Sequence, residues 1–356
     1  MVLITSLVLL ALIVWAFEYY YLRGGRARDY PPPANPDAQA VFSRDAGPGA
    51  EHQQVVKAVR DIILRISTSL HRKNLPKARA IFDSISDGRK FDGNIKPANA
   101  NGVTAEWIMA PGADETRRVL YIHGGGFVMG SPKSHRAMTC KFAEVTGCAV
   151  LAIDYRLMPK NRLMDCIEDS RTAYRWILDN GPIGPAELQQ LFVSGDSAGG
   201  HLSLNVIAWA RDSGLRIANA AVAFSPLTDA TFSGASIRDN VATDAMLKPF
   251  MQVLNRLPQF IKSWWALWTY RLRPGNPLAS PLLGDLSNLP PTLVQVSAAE
   301  MLFDDARRYV FKAIASGSEA KLQSWTDMVH IWQIFNPLLP QAEEAWVEVG
   351  RFLEDK

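Results

Sequence analysis

A serine set between glycines gives this chain the local pattern that nucleophilic catalysis needs. Ser197 lies in Gly-Asp-Ser-Ala-Gly, residues 195–199, which matches the G-x-S-x-G nucleophile elbow. The apolar run at 190–193 precedes it and is typical of a buried strand. The glycines suit a sharp strand-to-helix turn, because such a turn leaves no room for side chains beside the serine. We therefore take Ser197 as the candidate nucleophile.

A serine hydroxyl needs a neighbouring base, and the base needs an acid that orients it. With a G-x-S-x-G elbow the partners follow in the order serine, acid, histidine, and only His201 and His330 come after the serine. His201 lies one turn along the same predicted helix, pointing back into the packing. His330 lies in a loop-like stretch before an apolar helical pattern, as a loop-borne base should. The sequence predicts His330 as the base.

Three carboxylates follow the predicted strand at 292–296 and are candidates for the acid. Glu300 comes first, in the loop after the strand, near the sheet edge where ligands bind in open α/β folds. Asp304 and Asp305 open a predicted helix at 306–315, where acidic residues also suit the helix N-terminus. We predict Glu300 as the acid and keep Asp304 and Asp305 as alternatives.

A glycine run follows another predicted strand, at 119–122. Residues 123–127 read His-Gly-Gly-Gly-Phe, and backbone N–H groups there can point into a pocket without obstruction by side chains. Gly124, Gly125 and Gly126, with Ala198 after the nucleophile, are the predicted oxyanion donors. A plain glycine turn or a phosphate loop is the alternative, although the G-x-G-x-x-G spacing of a dinucleotide site is missing. His123 is expected to hold the loop by hydrogen bonds.

Strands and helices alternate through the chain, which predicts an α/β fold with a mostly parallel central sheet flanked by helices. Two helical regions, about 51–100 and about 231–285, are predicted to form a cap. The second holds several tryptophans, which either pack on the core or cover an apolar acyl pocket. The predicted strands are 103–109, 118–122, 149–153, 191–193, 220–224 and 292–296, and the predicted helices include 136–145, 165–180 and 306–315.

The first 17 residues have no charged side chain, and tyrosines follow at 19–21. This pattern predicts a transmembrane anchor over 1–22, with a cleaved signal or a buried hydrophobic arm as alternatives. Arg23, Arg26 and Arg28 follow it, so the positive-inside rule puts the catalytic domain on the cytoplasmic side. A proline-rich linker is predicted over 23–50, and one hydrolytic domain over 51–356.

The composition excludes several other classes of protein. The chain has 356 residues, 48% of them hydrophobic and 21% charged, with a net charge of +3. Its basic residues are scattered, which argues against nucleic-acid binding. The three cysteines show no ligand spacing, so we expect a reduced compartment and a site without metal or organic cofactor. The oligomeric state is left open.

Five motifs in order resemble the hormone-sensitive-lipase-like branch of the α/β-hydrolase esterases, from about residue 118 to the C-terminus. The resemblance implies Ser197, Glu300 and His330 as the triad, and it implies that the helices before residue 118 belong to the cap. Glu300 departs from the family, which most often has Asp at the acid position. The motifs are His-Gly-Gly-Gly at 123–126, Asp-Tyr-Arg-Leu-Met-Pro at 154–159, Gly-Asp-Ser-Ala-Gly-Gly at 195–200, Glu-Met-Leu-Phe-Asp-Asp at 300–305 and Asp-Met-Val-His at 327–330.

Motifs and resemblance together predict a serine carboxylesterase for esters of apolar, short- to medium-chain acyl groups, or lipids, that works through an acyl-enzyme. A lipase, lactone hydrolase or amide hydrolase with the same triad is an alternative. A small-molecule receptor of the same fold is a further alternative, which the presence of His330 disfavours.

Overall fold

The computed structural model describes residues 2–24, 29–43, 49–88 and 90–356, and its centre is a nine-stranded sheet. Within this sheet β3 runs antiparallel to both of its neighbours, and the other paired strands are parallel. The predicted mostly parallel sheet is therefore confirmed. The strands in spatial order are β1 (Gln39–Phe42), β11 (Ala320–Trp325), β10 (Thr292–Ser297), β9 (Ala220–Phe224), β8 (Gln190–Asp196), β4 (Asp114–Ile122), β5 (Cys148–Asp154), β3 (Val103–Met109) and β2 (Asn94–Ala100); β6 (Asn180–Gly181) and β7 (Gly184–Pro185) form a separate hairpin.

Helices cover both faces of the sheet, which explains why its central strands are apolar at consecutive positions. In β4, Val119 and Tyr121 join one buried cluster, and Leu120 and Ile122 join the other. The first cluster packs under α4 (Arg136–Thr146) and α11 (Pro340–Glu354). The second packs under α5 (Leu163–Asp179), α6 (Ala198–Asp212) and α10 (Phe303–Ala315).

The predicted linker over 23–50 is only partly a linker. Residues 39–42 form β1, which pairs in parallel with β11 at the sheet edge. Both strands are absent from the sequence-based prediction, because β1 is short and follows a proline-rich stretch and β11 mixes polar and apolar side chains. Phe42 stacks on Trp325 with ring centroids 4.2 Å apart, and this contact secures the added strand.

Helices from two separate stretches of chain lie over the cavity that Ser197 lines, and the first of these stretches is shorter than the predicted 51–100. It consists of α2 (Ala50–His71) and α3 (Leu75–Asp83). The remainder of the predicted region, 94–100, is β2 of the main sheet, paired with β3. The second stretch contains α7 (Ser236–Asp239), α8 (Lys248–Arg256) and α9 (Gln259–Tyr270).

The N-terminal segment differs from the predicted anchor. It is an α-helix, α1 (Val2–Ala16), of 15 residues, followed by a π-helical turn over Phe17–Leu22. A membrane crossing needs about 20 apolar helical residues. In the described parts of the chain, no helix combines the length and apolar character needed to cross a bilayer. The transmembrane prediction over 1–22 is therefore not supported, and Arg26 and Arg28, on which the predicted orientation partly rests, lie outside the described residues.

Candidate active site

Ser197 sits at the turn between β8 and α6, with a strained backbone. Its φ is +51° and its ψ is −117°, a conformation that residues with a side chain rarely adopt. A Cβ at Gly195 or Gly199 would overlap the carbonyl oxygen of Ile122. The neighbouring strands therefore press on the elbow so closely that only glycine fits at both positions, as the sequence pattern predicts. The strain holds the serine side chain at the start of the helix.

His330 lies in the loop after β11, and its two ring nitrogens have different surroundings. Nδ1 is 3.2 Å from Oε1 of Glu300. Nε2 is buried and finds no hydrogen-bond partner among the described residues. His330 and Ser197 line the same cavity. One nitrogen is thus held by a carboxylate, and the other is free to exchange a proton in the cavity.

Glu300 is the carboxylate that meets this histidine, and it is fully buried. Its second oxygen, Oε2, accepts hydrogen bonds from Ser225 Oγ at 2.8 Å and from the backbone N–H of Ser297 at 3.3 Å. The two alternatives point elsewhere: Asp304 accepts from the N–H of Ser236, and Asp305 accepts from the backbone of residues 228 and 229. The geometry therefore favours Glu300 over either aspartate.

The electrostatics of the pair suit a base that works near neutral pH. Burial is the largest single effect and lowers the pKa of His330, but the adjacent Glu300 carboxylate, with smaller contributions from Asp244 and Asp196, raises the pKa above 6.5. Burial also raises the pKa of Glu300 above its ordinary value. His330 is therefore a stronger base than a free imidazole.

His201 is a buried residue of α6 and does not line the cavity that holds Ser197 and His330. Its Nδ1 and Nε2 lie 3.2 and 3.0 Å from the carbonyl oxygens of Leu227 and Leu278. Burial lowers its pKa to about 4, so the ring is neutral at ordinary pH. Both ring nitrogens are therefore directed at backbone carbonyl groups, as expected for a histidine that points into the packing.

The glycine loop faces the serine across the cavity, but its members differ. Gly125, Gly126 and Ala198 line the cavity with Ser197. The N–H of Gly124 instead donates to Oδ1 of Asp196 at 3.1 Å. The prediction of Gly124 as an oxyanion donor is therefore wrong, because its only N–H already has a buried carboxylate partner.

Asp196 links the elbow to the glycine loop, a role that the sequence analysis did not assign. Its carboxylate accepts from Tyr121 Oη at 2.8 Å and lies 3.2 Å from His135 Nε2, in addition to the Gly124 contact. Burial would raise the pKa of Asp196, but the charge of His135 and these hydrogen bonds lower it. His123, stacked on Tyr155 with ring centroids 4.3 Å apart, holds the loop from the other side. The signal that points to Asp196 is its place inside the elbow motif.

A second unpredicted carboxylate, Asp244, connects the cap to the acid loop. Its Oδ2 accepts from the N–H of Met301 at 2.9 Å, next to Glu300. Its Oδ1 accepts from the N–H groups of Met246 and Leu247, at 3.0 and 2.8 Å. These three partners also line the cavity, so Asp244 fixes the cavity wall to the loop that carries Glu300.

The cavity above Ser197 has a volume of about 290 Å³ and an almost entirely apolar lining. Both stretches of the cap contribute to it. The cap tryptophans Trp264, Trp265 and Trp268 are all exposed in part, and of these Trp265 also lines the cavity. The remaining cap residues on the wall include Ile63, Leu70, Phe82, Ile237, Phe250 and Met251.

The three cysteines are buried and none is in a disulfide bond, and burial raises the pKa of Cys148 and of Cys166. In the ranges of the chain that the structure covers, no three His, Cys, Asp or Glu side chains are grouped so that they could hold a metal ion.

Comparison with known proteins agrees with this architecture. Residues 119–334 match the family model of the alpha/beta hydrolase fold. The chain is 36% identical over 251 residues to an acetyl-hydrolase of Streptomyces hygroscopicus, which covers 70% of this chain and 79% of that protein. It is 34% identical over 261 residues to the carboxylesterase/phospholipase LipF of Mycobacterium tuberculosis, covering 72% and 68%.

Solved structures are similar over most of their length. A crystal structure of an esterase from the bacterial hormone-sensitive lipase family has a TM-score of 0.75 at 35% identity, covering 87% of this chain and 99% of that one. The esterase EstE5, soaked with p-nitrophenyl butyrate, has a TM-score of 0.73 at 33% identity, covering 86% and 99%. The chain therefore belongs to the hormone-sensitive-lipase-like branch of the α/β-hydrolase esterases.

Proposed function

We propose that this esterase hydrolyses esters of apolar, short- to medium-chain acyl groups through a Ser197–His330–Glu300 triad. The observation that carries the proposal is the asymmetry of His330. Its Nδ1 is held by Glu300, while no described residue is a hydrogen-bond partner of its Nε2, and the histidine lines the same cavity as Ser197. A base poised in this way removes the proton of a serine hydroxyl as it attacks.

In the first half of the reaction, Ser197 Oγ attacks the ester carbonyl while Nε2 of His330 takes its proton. Glu300 stabilises the imidazolium that forms. The backbone N–H groups of Gly125, Gly126 and Ala198 donate to the negative oxygen of the tetrahedral intermediate. The C–O bond of the ester then breaks, His330 returns the proton to the leaving alcohol, and the acyl group stays on Ser197.

In the second half, water takes the place of the alcohol. His330 removes a proton from the water as it attacks the acyl-enzyme, and it returns that proton to Ser197 as the carboxylic acid leaves. The sequence of steps uses side chains, backbone groups and water, with no cofactor.

The size and lining of the cavity support the substrate class. A cavity of about 290 Å³ with an apolar wall stabilises an acyl chain by burying it, and it penalises a charged one. The same triad would act on a lipid, a lactone or an amide, and the apolar wall favours the lipid among these three. A non-catalytic receptor role is the remaining alternative.

The test is hydrolysis of p-nitrophenyl esters from acetate to palmitate by the purified full chain, with S197A and S203A beside it. Ser203 lies on the same helix, and its hydroxyl donates to the carbonyl of Gly199. We expect a maximum at short or medium chains, complete loss of turnover in S197A and near-normal turnover in S203A. A maximum at palmitate would replace the proposed acyl class with a lipase, and no turnover of any ester would favour the receptor.

A cytoplasmic location of the catalytic domain stays a prediction. Protease protection in intact cells would test it, since a cytoplasmic domain survives external protease until the membrane is permeabilised.

A further inference from the structure

Helix α9 is partly reversed relative to an ordinary surface helix, because it exposes large aromatic rings and buries two polar side chains. Phe260, Trp264 and Trp268 recur every four residues on one face and are exposed, Trp268 to 66%. The other face buries the polar Lys262 and Ser263 together with Ala266 and Tyr270. A helix in water places its apolar stripe inward, because exposing it costs free energy. The exposed face of α9 is therefore suited to a non-aqueous environment.

The π-helical turn at 17–22 shows the same reversal. Phe17, Tyr20 and Tyr21 are exposed, whereas the Glu18 carboxylate is only 2% exposed. A buried carboxylate needs partners, and Glu18 finds them in Arg23, at 2.8 Å, and in the hydroxyl of Ser263 on α9, at 2.5 Å. The two reversed segments thus satisfy their polar groups against each other.

The exposed aromatic rings of both segments join into one surface. The Phe17 ring stacks on Trp264 with centroids 6.1 Å apart. Just past α9, the N–H of Gly275 donates to the carbonyl of Leu22 at 2.7 Å, which ties the end of the turn to the cap. We call this surface the aromatic face; its members are Phe17, Tyr20, Tyr21, Phe260, Trp264 and Trp268, and exposed aliphatic residues of α1 continue it.

Arginines border the aromatic face. Arg271 lies over the Trp268 ring at 5.4 Å and Arg273 over Tyr21 at 4.5 Å, measured from guanidinium carbon to ring centroid. Arg23 lies over Tyr19 at 5.0 Å. Tryptophan and tyrosine prefer the boundary between lipid headgroups and acyl chains, and arginine there attracts anionic headgroups.

We propose that the aromatic face is a docking surface for an anionic lipid bilayer. The rings enter the headgroup region, and Arg271 and Arg273 meet the lipid phosphates, whereas Arg23 stays paired with Glu18. The arginines favour a bilayer over a second copy of the chain as the binding partner. In a two-fold dimer through this face, the arginines of the two copies would lie close together and repel each other. The docking does not depend on the identity of the triad.

The location of the face gives the docking a role in catalysis. Trp265, the neighbour of Trp264 on α9, lines the acyl cavity, and so does Phe250 on α8. The wall of the acyl cavity and the proposed lipid contact are thus adjacent sides of the same cap helices. An ester dissolved in the bilayer would reach the cavity without crossing bulk water.

The test places an environment-sensitive dye at position 268 through W268C in the full chain. The native cysteines are buried, so the new thiol is labelled selectively. The control dye is at I183C, because Ile183 is 80% exposed in the β6–β7 hairpin, outside the cap. The membranes are vesicles of equal parts phosphatidylcholine and phosphatidylglycerol, compared with phosphatidylcholine alone.

We expect a blue shift at position 268 with the anionic vesicles, a smaller shift with neutral ones and no shift at position 183. W264S/W268S should bind the anionic vesicles about tenfold more weakly, because two large rings leave the lipid, with unchanged turnover of a soluble acetate ester. Vesicle binding without a shift at position 268 would overturn the proposal. So would a shift that appears without vesicles as the chain dimerises, since a second copy would then cover the face.

Discussion

Nδ1 of His330 lies 3.2 Å from Oε1 of Glu300, while the other oxygen of that carboxylate is held by Ser225 Oγ at 2.8 Å. A glutamate has one more rotatable bond than the aspartate usual in the family, and the Ser225 contact restricts that freedom. The longer side chain is thereby fixed at both oxygens.

Replacing Glu300 by glutamine tests its role as the acid. The amide cannot balance the imidazolium, so we expect kcat to fall by about 10³- to 10⁴-fold. Activity needs neutral His330, whose raised pKa predicts half-maximal kcat/KM above pH 6.5 in the natural chain. In E300Q this midpoint should move to lower pH, although Asp244 and Asp196 still act on the histidine. An unchanged pH profile in E300Q would remove Glu300 from the triad.

Ser225 is a positioning residue, and S225A should lower kcat by about tenfold, the cost of one hydrogen bond to a charged group. KM should stay close to normal, since Ser225 lies outside the cavity lining. Steady-state kinetics on a soluble ester measure both quantities, with S203A as the matched control. An effect on KM alone would contradict the assignment.

The proposed oxyanion role of the glycine loop can be tested because Gly125 and Gly126 differ in how much space surrounds them. At Gly125 the φ is +108° and a Cβ would overlap the carbonyl oxygen of Met129, so G125A must displace the loop. We expect G125A to lower kcat by about 10²- to 10³-fold. At Gly126 the φ is +63°, which strains an alanine, but a Cβ there meets nothing within 4 Å, so G126A should lose less activity than G125A. Equal losses in two folded variants, checked by circular dichroism, would argue against a donor role.

Acyl-chain length should respond to Ile63 on α2, which lines the cavity. I63W fills part of the space and should lower the octanoate-to-acetate ratio of kcat/KM by about tenfold or more. The neighbouring Leu64 is 65% exposed, which makes L64W a control of the same chemistry on the same helix. If both variants keep the octanoate-to-acetate ratio of the natural chain, the acyl chain does not bind next to Ile63.

Asp305 should make stability depend on pH. Burial and the charge of Asp229 raise its pKa to about 8 in the folded chain, against an ordinary value of 3.8. The folded state binds the proton more tightly, so this contribution to stability is complete below pH 3.8 and is lost as the pH rises to about 8. Urea unfolding across that range should show a decline that D305N removes.

The neighbouring Asp304 should have the opposite effect on the pH dependence of stability. Burial opposes the effect, but hydrogen bonds from Ser236 and Arg307 lower its pKa in the folded chain. Its stabilisation is present above the ordinary pKa and is lost only in acid. D304N should therefore reduce the free energy of unfolding evenly over this range and keep the decline. A flat profile in the natural chain would contradict the assignment to Asp305.

The sequence allowed a prediction for those residues of the candidate site whose position depends on a single short segment of chain. The elbow at Ser197 and the loop position of His330 follow from turn geometry and motif order, so a single sequence contains them. Ser225 and Asp244 escaped prediction because their partners, at 300 and 301, lie more than fifty residues away. The hydrogen bond from the Gly124 N–H to Asp196 was not predicted for the same reason, because Asp196 lies on β8, far away in the sequence.

Strands could be predicted from the sequence where both of their faces are apolar, and they were missed where the pattern is short or mixed. Central strands such as β4 and β9 read as continuous apolar runs. The edge strand β1 is only four residues long, and β11 mixes polar and apolar residues, so neither produces a clear periodic signal. The apolar N-terminus has the composition of an anchor, but composition does not set helix length, and α1 ends at Ala16.

The Asp196 carboxylate ties the serine elbow to the glycine loop through Gly124, whereas the acyl wall comes largely from helices added around that centre. We therefore expect the proposed reaction centre and the ester selectivity to be separable. Substitutions in α2, α8 or α9 should alter which ester is accepted without moving Ser197 relative to Gly125 and Gly126. Single substitutions in these helices could therefore change the substrate preference during evolution. Protein engineering could use the same helices, provided that Asp196 is kept.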